Sequence, residues 1–105
     1  MALNVPPVTP VAGLTDVVGV GGTAVTVAPG GINGGYITNP AAAADQGLVA
    51  AEDLFVDPVG SAGLGGNGTT FRIPPGGTWA MIPGQTTPTT VNANSSGHQF
   101  TVVYF

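Results

Sequence analysis

The 105 residues predict an all-β fold, an eight-stranded antiparallel β-sandwich with an extended N-terminal arm, and three observations carry that expectation. Short runs of β-branched and aromatic residues recur at the spacing of a sandwich or barrel. Between them stand the turn residues, drawn from eighteen glycines and ten prolines. Helix propensity is confined to one stretch, 40–51, where Pro40 and Gly47 leave room for a single turn. So much Gly and Pro approaches the level of a low-complexity chain. Disordered chains, however, are highly charged and poor in Val and Thr, and this one is the reverse.

Taken in order, residues 1–13 form the arm, because prolines at 6, 7 and 10 remove the amide donors that a central strand needs. Residues 14–105 make one sandwich domain. Its first two runs, Thr15–Val20 and Thr23–Ala28, flank Gly21-Gly22, a two-residue hairpin signal. Gly34–Asn39 follows and is closed by Pro40. Glu52–Asp57 is the fourth strand, and Gly60–Gly68 after it reads as a flexible loop. The last four runs are Thr69–Ile73, Thr78–Ile82, Pro88–Ala93 and His98–Phe105, separated by Pro74-Pro75-Gly76-Gly77, Pro83-Gly84-Gln85 and Asn94–Gly97. Side chains repeat every two residues along a strand, which nominates Leu54, Val56, Phe71, Ile73, Trp79, Val91, Phe100, Val102 and Tyr104 as the core. Each large side chain buried contributes roughly 1.5–3 kcal/mol. That leaves a thin margin for a lone small protomer.

Charge narrows the function. The formal net charge is -4, from five acids (Asp16, Asp45, Glu52, Asp53, Asp57) and one cation, Arg72. A single cation cannot neutralise a row of phosphates, so nucleic acid is not an expected partner. Every apolar run is broken well short of the about 18–20 residues of a membrane span, so no membrane is expected either. The N-terminus lacks the basic start and apolar centre of a secretory signal, and the expectation is a soluble protein made in a cytoplasm. Little charge also means little to keep copies apart, which points to an oligomer or a larger assembly.

Catalysis finds no footing. Asp53 and Asp57 share a strand face while Glu52 takes the other, and carboxylates four residues apart stand roughly 13 Å apart, too far for a shared proton or a retaining glycosidase pair. These acids read as a solvated strand edge. Calcium would draw on Asp45, Asp53, Asp57 and Asn67, yet no acidic loop has EF-hand spacing. His98, a lone histidine beside a turn, reads as a surface or capping residue. None of Ser61, Ser95 and Ser96 stands in Gly-x-Ser-x-Gly, and one imidazole is too few for a metal-bearing cupin. The glycine clusters Gly19-x-Gly21-Gly22 and Gly63-x-Gly65-Gly66-x-Gly68 lack the strand–loop–helix setting of a phosphate cradle. No enzyme, cofactor or metal is expected. Candidate interface or ligand residues are Trp79 and Met81, which alternate on one strand, with Arg72 and Tyr36. A lone Trp in a small sandwich is ordinarily core or interface.

The stretches Ala51–Gly60, Gly68–Trp79 and Gly97–Tyr104, roughly within the last two thirds of the chain, resemble small β-sandwich structural proteins of tailed bacteriophages, above all the capsid decoration, or cement, proteins. The resemblance lies in texture and strand order. It implies a jelly-roll-like protomer, commonly a homotrimer, on the outer surface of an icosahedral virion, bridging neighbouring copies of the major capsid protein and carrying no active site. The arm residues Leu3, Val5, Pro6, Pro7, Val8, Pro10 and Val11 are then the candidate contact with capsid or protomer. Backbone hydrogen bonds of strand addition would suit so uncharged a chain. An alternative is a carbohydrate- or receptor-binding module of a phage fibre or tail, exposing Trp79, Tyr36 or Tyr104.

Overall fold

A computed structural model describes residues 12–19, 21–40, 52–65 and 68–105. The expected arm, up to residue 11, and the expected helical turn, over residues 41–51, lie outside the described residues. The described residues contain no helix. The strands are β1 (Ala12–Val18), β2 (Val25–Ala28), β3 (Gly35–Thr38), β4 (Leu54–Asp57), β5 (Phe71–Ile73), β6 (Thr78–Met81), β7 (Thr89–Asn92) and β8 (His98–Tyr104). β1 thus starts inside the expected arm, with Ala12 and Gly13 already paired to Tyr104 and Val103.

Two sheets form, in the orders β1-β8-β3-β6 and β2-β7-β4-β5, and every pairing is antiparallel. Only β4 and β5 are both consecutive and paired; each other connection carries the chain from one sheet to the other. The hairpin expected at Gly21-Gly22 is therefore absent, since β1 pairs with β8 and β2 with β7. Its glycines instead let one turn lie on another. The Gly22 amide donates to the Ala93 carbonyl at 2.8 Å and the Gly97 amide to the Val18 carbonyl at 2.7 Å. A Cβ on Gly21 would run into the Asn94 carbonyl, and Gly22 holds φ at +85°, where a side chain is strained.

The sheets enclose one core, the layering of a β-sandwich. Val18, Ile37, Met81, Phe100 and Val102 of the first meet Ala28, Leu54, Val56, Ile73 and Val91 of the second. Alternation decides who enters: in β8, His98, Phe100 and Val102 are buried while Thr101 is exposed. Trp79 and Tyr104 are half-buried against this core. Phe71 departs from expectation, being 51% exposed. It shares the inward face with Ile73, but among the described residues β5 ends its sheet and no further strand covers that side. Its ring rests instead on Trp79 of the other sheet's last strand, with centroids 6.0 Å apart.

β4 is buried on both faces. Thr90 and Asn92, the register partners of Asp57 and Phe55, hold the following loop over its outward face. The Thr90 hydroxyl donates to the Gly60 carbonyl at 2.7 Å and accepts from the Ala62 amide at 2.9 Å. Asn92 Nδ2 donates to the Ala62 carbonyl at 2.9 Å. Residues expected to form a flexible loop are thus tied to the sheet over their first half.

Candidate functional site

His98, expected at the surface, is 9% exposed, because the first position of β8 faces inward. Its ring joins the two sheets at one end of the core. Nε2 lies 2.8 Å from Asn39 Oδ1 and Nδ1 lies 3.3 Å from Glu52 Oε1. Asn39, which follows β3 and is fully buried, cannot turn its amide round: Nδ2 donates to the carbonyls of Glu52 and Ile73, each at 2.9 Å. Its oxygen must therefore face the imidazole, so that Nε2 is the donor. Glu52 lies just before β4 and is half-buried at this network, so it is no solvated edge residue.

A carboxylate, an imidazole and an amide in sequence look like catalytic machinery. The atom that would address a nucleophile, Nε2, is already engaged by Asn39, and among the described residues no serine or threonine hydroxyl is bonded to either ring nitrogen. The cluster joins the end of β3, the approach to β4, the end of β5 and the start of β8. Its chemistry is that of a polar staple, in which both ring nitrogens and both ends of the Asn39 amide stand within hydrogen-bond distance of a partner.

Asp57 forms a second polar centre, on the outward face of β4. Oδ1 accepts from the Val59 and Gly60 amides, each at 2.9 Å, and Oδ2 accepts from the Thr69 and Thr70 hydroxyls at 2.8 and 3.0 Å. Burial raises its carboxyl, but the bonds from Val59, Thr69, Thr70 and Gly60 outweigh that and hold it below its ordinary 3.8. The expectation of a solvated edge fails here as well, because the loop after β4 folds over the carboxylate. Asp57 is also a poor calcium ligand, since its oxygens face hydrogen-bond donors where an ion would need further oxygens. The other calcium candidates divide. Asp45 and Asn67 lie outside the described residues, and Asp53 Oδ2 is 3.3 Å from Arg72 Nε.

The candidate interface residues do not converge on one surface. Met81 is 3% exposed and belongs to the core, a correction that follows from alternation: it shares the inward face of β6 with Trp79. Arg72 stands on the outward face of β5, where an exposed ion pair contributes about 0–1 kcal/mol. Tyr36 is 49% exposed on β3. The arm candidates Leu3, Val5, Pro6, Pro7, Val8, Pro10 and Val11 lie outside the described residues. A feature without counterpart in the sequence pattern is an open, mainly apolar groove of about 380 Å³ between Thr26, Val27, Ala28, Pro29, Pro88 and Tyr104. It gathers the end of β2, the approach to β7 and the end of β8.

No signal in composition or spacing singles out Asn39, Thr69 or Thr70. The nearest hint is Asn39 placed before Pro40, a pair that reads only as a turn. Comparison with models of known protein families, with curated proteins and with solved structures found no match to this chain.

Proposed function

We propose that the chain is a non-enzymatic structural subunit of a bacteriophage virion, decorating the outside of an icosahedral capsid as a homotrimer that bridges neighbouring major capsid proteins. It would be made in the host cytoplasm and mounted on the outer capsid surface. The observation that carries this reading is the pair of strand orders, β1-β8-β3-β6 and β2-β7-β4-β5, with every pairing antiparallel. They support an eight-stranded jelly roll, an architecture used in viral capsid and lectin domains. The cupin version of that architecture needs several metal-binding imidazoles, and His98, the sole histidine, is engaged at both ring nitrogens. The saturated polar centres around His98 and Asp57 support a structural role over a chemical one. The low charge supports assembly.

Light scattering of the purified chain tests the assembly. A mass three times the 10.2 kDa protomer agrees with the reading, and a monomer at every concentration counts against it.

A second reading, a carbohydrate- or receptor-binding module of a phage fibre or tail, is favoured by one observation: Phe71 is half exposed and leans on Trp79 at the open edge of the two sheets. Titration with glycans, followed by the fluorescence of the single Trp, separates the two. Capsid decoration predicts no response; saturable quenching, abolished in Phe71→Ala, would transfer the assignment to the second reading.

A further inference from the structure

The groove and the arm meet at one point. β1 enters its sheet at Ala12, whose register partner is Tyr104, and Tyr104 is a wall of the groove. The strand that residues 1–11 precede in sequence therefore begins at the end of the molecule at which the groove opens. Eleven residues reach at most about 36–40 Å when extended, far enough to leave one protomer and meet another.

The chemistry of the two is matched. The arm carries no charged side chain, and prolines at 6, 7 and 10 deny it the regular amide donors of a strand. Such a segment favours polyproline II, with three residues per turn. In Pro7-Val8-Thr9-Pro10 the two outer prolines then share one face, the P-x-x-P spacing that docks into apolar grooves containing aromatic rings. The groove offers Tyr104, the side of Val27 and the rings of Pro29 and Pro88, with no charged residue among its lining. A stiff, preformed segment loses little entropy on docking.

We propose that this groove receives the proline-rich arm, residues 3–11, of a second copy of the chain, so that protomers join head to tail. Contacts of this heterologous kind close into rings when the rotation between protomers permits, and a ring of three is the simplest odd closure. β1 and β2 stand at the ends of their sheets among the described residues, so the side of the molecule beside the groove is not taken by another strand there. The inference does not rest on the virion reading, since arm exchange serves a fibre as well as a capsid.

The test uses full-length chains altered on one side of the contact at a time. The arm variant is Val8→Asp with Val11→Asp, which leaves the described core untouched. The groove variant is Pro88→Asp, at an exposed position, and Thr26→Glu, also exposed, is an independent second. Far-ultraviolet circular dichroism and Trp79 emission matching the unaltered chain establish that each is folded.

The expected result is an assembled unaltered chain, a monomer for each variant alone, and a heterodimer when arm and groove variants are mixed, since one intact arm then finds one intact groove. Three results would overturn the inference. The first is an assembly that survives both alterations, which leaves trimeric capsid decoration standing but places its contacts elsewhere. The second is a mixture that stays monomeric although both variants are folded. The third is an unaltered chain that is monomeric at all concentrations, in which case the arm lies free or in its own groove.

Discussion

Asn39 has both its backbone and its side chain committed: its amide donates to Gly77, its carbonyl accepts from Gly76, and its side chain serves His98, Glu52 and Ile73. Truncation leaves two carbonyls and a ring N–H without their Asn39 partner, and each buried unsatisfied group costs about 1–3 kcal/mol. Asn39→Ala is therefore expected to lose on the order of 3 kcal/mol or more, read as a fall in the urea midpoint with an unchanged slope. Asp57 makes a prediction with a sign. Its carboxyl is depressed in the folded protein, so the stability it adds is complete above the unfolded value of about 3.8 and is lost as the pH falls through the folded value. Asp57→Asn should destabilise by about 1–3 kcal/mol near neutrality. The gap between the two proteins should then narrow on acidification, as thermal melts at a series of pH values would record. Neither residue declares itself in the sequence. Asn39, Glu52 and His98 are brought together from three separate turns and strand ends, and a lone histidine or asparagine beside a turn carries no local mark of the partners that will bury it.

Strands were legible where periodicity is local. β-branched runs between Gly and Pro corners place the all-β, antiparallel character of the chain, and two-residue alternation correctly selects Leu54, Val56, Ile73, Val91, Phe100 and Val102 for the core. Pairing was not legible, because the partner of β1 is β8 at the other end of the chain, and Gly21-Gly22 carries the same local chemistry whether it closes a hairpin or passes between sheets. Alternation also says which face a residue takes without saying whether that face is covered. Hence Phe71 is exposed where a sheet ends, while Phe55 and Asp57 are buried on a face that a loop has covered. At this scale Gly22→Ala should cost about 1–2 kcal/mol through its left-handed φ. Gly21→Ala should cost more for a different reason, since a Cβ there meets the Asn94 carbonyl and the Ser96 amide and pushes the β1–β2 turn off the β7–β8 turn. A denaturation series comparing both with Gly76→Ala, a left-handed glycine with open space around its Cβ, separates backbone strain from lost turn packing. A Gly21→Ala chain as stable as the unaltered one would show that the turn-on-turn contact adds nothing.

For the whole molecule, the engaged polar clusters around His98 and Asp57 and the scarcity of charge agree in direction. Glu52 is met by His98, Asp53 by Arg72, and Asp57 by a shell of N–H and O–H donors. What such a surface has left to offer is shape, backbone edges and apolar contact, the means by which structural subunits join. The proposed place of the chain on the outside of a virus head is tested by immunogold labelling of intact particles with an antibody raised against the purified protein. Gold distributed over the outer face of icosahedral heads is the expected result. Particles that remain unlabelled, or that carry label only on tails or fibres, would contradict it.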